Sequence, residues 1–139
     1  MTGRFDAPGL ARTPGYPHAA ASSGNRLVLT AGALTAGALT AGAVPLDAEG
    51  SLVGEGDRVV QTHQVLDNLG LALEVAGAGW EDVLKTTVYV VSEDRRDLAD
   101  VWGGVQESPV APAASTLLGV SVLGYEGQLV EIEAITVSD

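Results

Sequence analysis

The stretch DRVVQTHQVLDNLGLALEVAGAG, residues 57–79, specifies a long helix, because its apolar and small residues recur every three to four positions. Leu66 and Leu73 lie on this repeat, which is the pattern of one buried face of an amphipathic helix of about five turns. Asp57 is a suitable N-cap, and Gly77 together with the glycine two positions later is a suitable stop. The stretch therefore predicts one helix that begins after Asp57 and ends near Gly77.

The residues that follow predict a strand, a second helix and two more strands. Residues 84–91 are rich in β-branched side chains and alternate between two faces, which indicates a strand. Residues 92–94 can cap a second helix that runs to about Val105. Two further strand patterns, 115–123 and 128–137, surround a Gly-Tyr-Glu-Gly turn. Paired strands around two helices predict an α+β sandwich with both helices on one face of a mixed or antiparallel sheet.

The first part of the chain carries weaker signals. Residues 1–24 contain proline, glycine and serine and predict an irregular N-terminal arm. From Arg26 the sequence RLVLTAG predicts a short strand. With 139 residues the chain has the length of a single domain, residues 1–139, that can bury a sizeable core.

Composition excludes several classes of function. There is no cysteine, which excludes disulfides, thiolate nucleophiles and thiolate metal sites. Two separated histidines without cysteine make a poor metal site, so we expect no metal. No early run is apolar enough for a signal peptide or a membrane span, so we expect a cytoplasmic protein without a membrane partner.

The charge argues against a nucleic-acid partner. The formal net charge is −11 at pH 7, and the seven Lys and Arg residues are scattered along the chain. A phosphate backbone is repelled by such a protein unless a local basic patch exists, and only Arg95 and Arg96 are adjacent. We therefore expect a small molecule as the ligand, and no nucleic acid.

Three motifs at their observed spacing resemble the Rid family, the reactive intermediate deaminases also called YjgF. They are AGAVPLDAEGSLV at 41–53, the block from QTHQ to TVYV at 61–90, and LVEIEAI at 129–135. The resemblance covers roughly residues 16–137. It implies a chorismate-mutase-like fold and a homotrimer around a central barrel, with three clefts between subunits. It also implies hydrolysis of 2-imino or 2-enamino acids to 2-oxo acids and ammonia without a cofactor.

The resemblance assigns roles to individual residues. Glu131, the first Glu of VEIEAI, matches the glutamate that orients the attacking water; a salt-bridged or rim carboxylate is the alternative. Tyr16 matches the tyrosine at the cleft mouth, or it simply packs the N-terminal arm. Ser115 matches a serine of the cleft, or it makes an ordinary backbone hydrogen bond. Gly42 takes the position of a glycine that lines the cleft.

The family's substrate-binding arginine is replaced in this chain. The family pattern is Pro-Ala-Arg-Ser, whereas this sequence reads Pro-Ala-Ala-Ser, with Ala114 at the arginine position. Residues 97–139 contain no Lys or Arg. Because a charge-assisted hydrogen bond contributes about 1.5 to 3 kcal/mol, losing a bidentate pair lowers carboxylate affinity by orders of magnitude. Activity on standard 2-imino acids is therefore in question, unless Arg26, Arg95 or Arg96 substitutes; each is otherwise a solvated surface residue.

A perfect repeat, LTAGALTAGALTAGA, occupies residues 29–43. Removing two copies, ten residues, restores the length of the family's strand, so residues 34–43 are interpreted as an insertion. One straight strand of this length would be too long for a compact domain of this size, so we expect a bulged excursion or a short hairpin without chemistry of its own. Because the copies are identical, Gly32 could replace Gly42 in a shifted register.

Two hypotheses about function remain open. The first is a divergent imine or enamine hydrolase that lacks the usual carboxylate anchor. The second is a trimer that binds a small metabolite, or assists a partner enzyme, without turnover. The RNA-cleaving activity sometimes attached to the family is disfavoured by the charge and by the lack of a suitable histidine pair.

Overall fold

The computed structural model describes residues 2–12, 19–22, 26–30 and 42–138. These residues form six strands and two α-helices, with a short 3-10 helix at Trp80–Asp82. In chain order the elements are β1 (Thr2–Phe5), β2 (Ala19–Ser22), β3 (Arg26–Thr30), α1 (Arg58–Val75), β4 (Val83–Val91), α2 (Arg95–Gln106), β5 (Ala114–Val120) and β6 (Val130–Ser138).

The six strands form one mixed sheet in the order β1-β2-β3-β6-β4-β5. β4 and β5 are parallel and are joined through α2, whereas all other neighbouring strands are antiparallel. β6, the last strand, lies between β3 and β4 near the middle of the sheet. The predicted α+β class with a mixed sheet and two helices is confirmed.

Both helices cover the same face of the sheet, and the core lies between them and the strands. Alternate residues of the central strands, such as Val88 and Ile132, are fully buried against Leu69 of α1 and Val101 of α2. On the opposite face, the side chains of β4 and β6 are partly exposed. This helix-free face carries the polar side chains of Tyr89, Glu131 and Glu133.

The helix boundaries follow local side-chain chemistry. Asp57 accepts hydrogen bonds from the backbone N–H groups of Val59 and Val60, so the predicted N-cap is confirmed. Gly77 follows the helix with φ of 74°, a conformation that favours glycine. Asp94 caps α2. Neither helix in the described part of the chain is long and apolar enough to cross a membrane.

The irregular arm predicted for residues 1–24 is wrong in two segments. β1 and β2 lie within it and pair with each other, and β2 continues the sheet from β3. β2 reads Ala-Ala-Ala-Ser, which lacks the β-branched and aromatic residues that signal a strand. Its strand conformation is therefore set by pairing with neighbours rather than by local preference.

The ladder beside β6 gives the register on either side of the repeat. Leu29 of β3 pairs with Ile135, whereas Ala43 pairs with Ile132. β3 and β6 are antiparallel, so each step forward along β3 pairs with one step back along β6. In an uninterrupted ladder, position 32 would therefore pair with Ile132. Ala43 lies there instead, eleven positions further along. Eleven equals the ten-residue duplication plus one residue, which is the length of a β-bulge.

The repeat thus lies between two described segments that both pair with β6, as the interpretation of residues 34–43 as an insertion would require. Side chains along a strand alternate between the two faces of the sheet, so an even number of added residues keeps each later side chain on its face and an odd number reverses it. The observed offset of eleven is odd, so the ten-residue length of the duplication does not alone determine which face of the sheet the side chains after it occupy. The predicted excursion or hairpin lies outside the described residues, except for Gly42 and Ala43 at its end, and stays a prediction.

Candidate active site

Glu131 on β6 is held by two donors from separate parts of the chain. Its Oε1 accepts a hydrogen bond of 2.8 Å from the backbone N–H of Gly42, and its Oε2 accepts one of 3.1 Å from Nε2 of Gln128. Burial raises the pKa of Glu131, while the hydrogen bonds from Gly42 and Gln128 act in the opposite direction. Glu133 nearby adds a repulsion that also raises this pKa.

Only glycine fits at position 42. A Cβ atom there would lie 2.4 Å from Cγ of Glu131 and 2.8 Å from the backbone carbonyl carbon of Ile132. The next residue, Ala43, pairs with Ile132, so the chain cannot move away without breaking that bridge. The glycine at the end of the repeat thus lets the carboxylate lie against the backbone N–H.

The segment after Gly42 is fixed by a buried side chain of α1. Nδ2 of Asn68 donates to the carbonyl oxygens of Val44 at 2.8 Å and Leu46 at 2.7 Å. Oδ1 of Asn68 accepts from Nε2 of Gln64 at 3.0 Å. Asn68 therefore uses its hydrogen-bonding capacity to hold the Val-Pro-Leu segment, and with it Gly42, at a set distance from β6.

The second donor, Gln128, is fixed in the same way. Its Oε1 accepts from the backbone N–H of Tyr125, and its Nε2 donates to the carbonyl oxygen of Val130 as well as to Glu131. Gln128 is itself buried. Glu131 is thus oriented by groups that have their own partners, which limits the motion of its carboxylate.

Tyr89 and Glu133 form a second polar pair on the same face. The hydroxyl of Tyr89 donates to Oε1 of Glu133 at 2.8 Å, and Tyr89 lies opposite Glu131 in the β4–β6 ladder. Burial, with the neighbouring carboxylates of Glu133 and Glu131, raises the pKa of Tyr89 to about 12. The phenol therefore stays protonated at neutral pH and acts as a donor.

Position 114 lies elsewhere on this face. Ala114 is exposed and pairs with Lys85, which in turn lies opposite Ile135. Four residues along a strand and two strands across separate the Cα atoms of Ala114 and Glu131 by about 16 Å. The carboxylate of Glu131 also points to the side of β6 away from β4. One small molecule therefore cannot contact both positions of the same chain.

Ser115 faces the helices, one residue along the strand from Ala114. Its hydroxyl lies 2.6 Å from Oγ1 of the buried Thr86 and donates to the carbonyl oxygen of Ala113 at 3.2 Å. The structure thus brings Gly42 to Glu131 but does not bring the Ser115 hydroxyl or Ala114 to them. Tyr16 lies outside the described residues.

The arginines with described contacts are engaged away from Glu131. Arg58 donates to the carbonyl oxygen of Val91 and pairs with Asp97 at 3.5 Å. Arg96 forms an ion pair with its own helix cap, Asp94, at 2.9 Å. The side chain of Arg26 lies outside what the structure describes. Among the described residues, no cluster of His, Asp and Glu could hold a metal ion.

Sequence reasoning missed the residues that support the site. The polar side chains of Asn68 and Gln128 are buried, but sequence alone does not show which backbone groups they reach. Lys85 was missed because its proximity to Ala114 depends on the register between β4 and β5. A buried amide in an apolar helix face was the only local signal for Asn68.

The sequence and the fold of this chain are similar to those of known proteins. The family described as Endoribonuclease L-PSP matches residues 15–138. A RutC family protein of Synechocystis is 36% identical over 141 residues, covering 99% of this chain and 98% of the relative.

Two solved structures resemble the whole fold. The YjgF gene product of E. coli has a TM-score of 0.75 at 26% identity, covering 99% of both chains. YyfA of Yersinia pestis, described as a Rid family protein of unknown function, has a TM-score of 0.74 at 26% identity, covering 99% of this chain and 100% of that one. This chain therefore belongs to the Endoribonuclease L-PSP family, the same family that is called Rid or YjgF.

Proposed function

We propose that the protein hydrolyses small imines or enamines to carbonyl compounds and ammonia in clefts between the subunits of a homotrimer. The observation that carries this proposal is the carboxylate of Glu131, held by Gly42 and Gln128 and shifted by burial toward a higher pKa. A carboxylate with a raised pKa is a better proton acceptor than an ordinary one at neutral pH.

The chemistry needs one water molecule and no cofactor. Each oxygen of Glu131 uses one lone pair for an N–H donor, which leaves acceptor capacity for a water. The water oxygen bonds to the imine carbon as its proton passes to Glu131. That proton then goes to the nitrogen, which gives a carbinolamine. The remaining hydroxyl proton follows to the nitrogen through Glu131, the C–N bond breaks, and ammonia leaves as the carbonyl forms. Most of the rate enhancement comes from holding the water and the imine together.

The cleft is proposed to form between two subunits, because one subunit alone does not bring Ala114 close to Glu131. Glu131 and Ala114 lie too far apart in one chain to contact the same small substrate. If position 114 of one subunit faces Glu131 of another, both contribute to a single cleft. Tyr16 would then lie at the cleft mouth, whereas Ser115 is left out because its hydroxyl is bonded within its own chain.

A second candidate is a trimer that binds a small metabolite, or assists a partner enzyme, without turnover. The observation that favours it is Ala114, an uncharged residue at the position where the Pro-Ala-Arg-Ser pattern of the resembled family has arginine. RNA cleavage, which the family's description suggests, is not proposed, because the net charge of −11 repels a phosphate backbone.

The test separates the two candidates. 2-Aminoacrylate, which becomes 2-iminopropionate, is generated in situ, and ammonia release is compared for the wild type, Glu131→Ala and Ala114→Arg. Wild-type turnover that Glu131→Ala abolishes supports hydrolysis. Turnover only after Ala114→Arg supports a cleft that binds without reacting. No turnover by any variant contradicts the proposed hydrolase.

A further inference from the structure

We propose that Lys85, supported by Thr116, forms an anion-binding subsite beside Ala114 that takes the carboxylate of a small 2-oxo or 2-imino acid. The inference rests on the proposed function for the location of the cleft. The binding of the anion can nevertheless be measured without any turnover.

The strand register brings the cation to this position. Lys85 is the direct partner of Ala114 across the parallel β4–β5 pair, so both side chains lie on the helix-free face. Nζ of Lys85 donates to Oγ1 of Thr116 at 2.5 Å, which turns the ammonium group toward β5 and away from β6. The cation thus lies next to the residue that replaces the family's arginine.

The ammonium group of Lys85 has capacity for an anion. It carries three donors, of which Thr116 takes one. Among the side chains that the structure describes, no carboxylate forms an ion pair with Lys85. Glu133, the nearest acid by register on β6, is bonded to Tyr89 instead. Ala114, the exposed register partner of Lys85, adds only a methyl group on this face.

No other Lys or Arg lies on β4, β5 or β6, so Lys85 alone gives this part of the face a positive charge. Because Lys85 is half-exposed and none of the described carboxylates forms an ion pair with it, a small anion can reach its ammonium group from outside. Because an ammonium group is a point charge and not a planar fork, it selects charge more than carboxylate orientation. The expected ligands are therefore small monocarboxylates, held less specifically than by an arginine.

The test compares an anionic probe with its neutral analogue. Binding of pyruvate and of pyruvamide is measured by titration calorimetry for the wild type, Lys85→Met, Lys85→Arg and Thr116→Val. Arg96→Met is the matched control, because Arg96 is an exposed cation whose partner among the described residues is Asp94 in its own helix cap. Circular dichroism and sedimentation confirm that each variant keeps its fold and assembly.

The wild type should bind pyruvate at least about tenfold more tightly than pyruvamide, and added salt should reduce the difference. Lys85→Met should remove this preference, Lys85→Arg should keep it, and Thr116→Val should weaken pyruvate binding severalfold. Arg96→Met should change nothing. Adding Ala114→Arg to Lys85→Met should restore the preference.

Equal affinity of the wild type for the two probes, or no pyruvate binding at all, overturns the inference. So does wild-type pyruvate affinity in folded Lys85→Met; if that variant does not fold, wild-type affinity in Thr116→Val overturns it. Pyruvate binding without ammonia release leaves this inference standing and contradicts only the hydrolase proposal.

Discussion

The backbone N–H of Gly42 donates to Oε1 of Glu131 across 2.8 Å, although 89 positions separate the two residues in the sequence. The contact joins the end of the repeat to the last strand of the sheet. It requires that position 42 has no side chain, because a Cβ atom would lie within 2.4 Å of Cγ of Glu131.

Gly42→Ala should displace the carboxylate of Glu131 and destabilise the fold by about 1 to 3 kcal/mol, because the new methyl group also meets the backbone of Ile132. Urea denaturation measures the change in the free energy of unfolding. Gly103→Ala is the matched control, since a Cβ atom there meets nothing within 4 Å. In the helix interior it should stabilise the protein by about 0.5 to 1 kcal/mol. Equal effects of the two substitutions would contradict the close approach at Gly42.

Asn68→Leu should cost about 1 to 3 kcal/mol, because it removes the side-chain donor to the carbonyl oxygen of Leu46 and one of the two donors to that of Val44, which keeps the backbone N–H of Leu46. The same loss should loosen the segment that positions Gly42. Gln64→Ala removes only the hydrogen bond to Oδ1 of Asn68 and should cost less than about 1 kcal/mol. Thermal and urea unfolding of both variants check the difference, and an Asn68→Leu protein as stable as the wild type would refute this role.

Glu131→Gln should change the pH dependence of stability in a defined direction. Because burial raises the pKa of Glu131 in the folded state above its ordinary value, the folded protein holds the proton more tightly than the unfolded chain does. This contribution is fully present below that value and is lost as the pH rises through the folded pKa.

The glutamine variant does not titrate at this position, so it should gain stability relative to the wild type as the pH rises through that window. The measurement is the free energy of unfolding of both proteins from acidic to neutral pH. A difference that stays constant, or that shrinks with rising pH, would show that the carboxyl group is not shifted in this direction.

Deletion of residues 34–43 should leave a folded protein, because the copies are identical and Gly32 and Ala33 then take the places of Gly42 and Ala43. One bulge residue remains in the ladder, as the register around Ile132 requires. Sedimentation and circular dichroism of the shortened chain should match those of the full chain. A soluble aggregate or an unfolded chain would show that the repeat has a structural role of its own.

Much of the fold was predictable because its signals are local. The apolar spacing of α1, the cap at Asp57 and the stop at Gly77 all depend on residues close in sequence. β1 and β2 were not predictable, since each is only four residues long and pairing with a neighbouring strand imposes the conformation; β2 in particular consists of alanine and serine, which have little strand preference.

The site was predictable only where a motif carried it. Glu131 and Gly42 came from the resemblance, and the structure brings them together. The partnership of Lys85 with Ala114 depends on the register of two strands about 29 positions apart. The bonds of Asn68 depend on how α1 packs against the segment after the repeat. Such contacts are non-local, and no periodicity or spacing within the sequence encodes them directly.

The most direct measurement is the rate of ammonia release from 2-iminopropionate by the Glu131→Gln and Glu133→Gln variants under identical conditions. Both substitutions replace a carboxylate on the same face of β6, two residues apart. If Glu131 activates the water, Glu131→Gln should lose about 100-fold or more of the wild-type rate. Glu133→Gln, which only removes the partner of Tyr89, should keep most of it. Equal rates for the two variants would contradict the role assigned to Glu131.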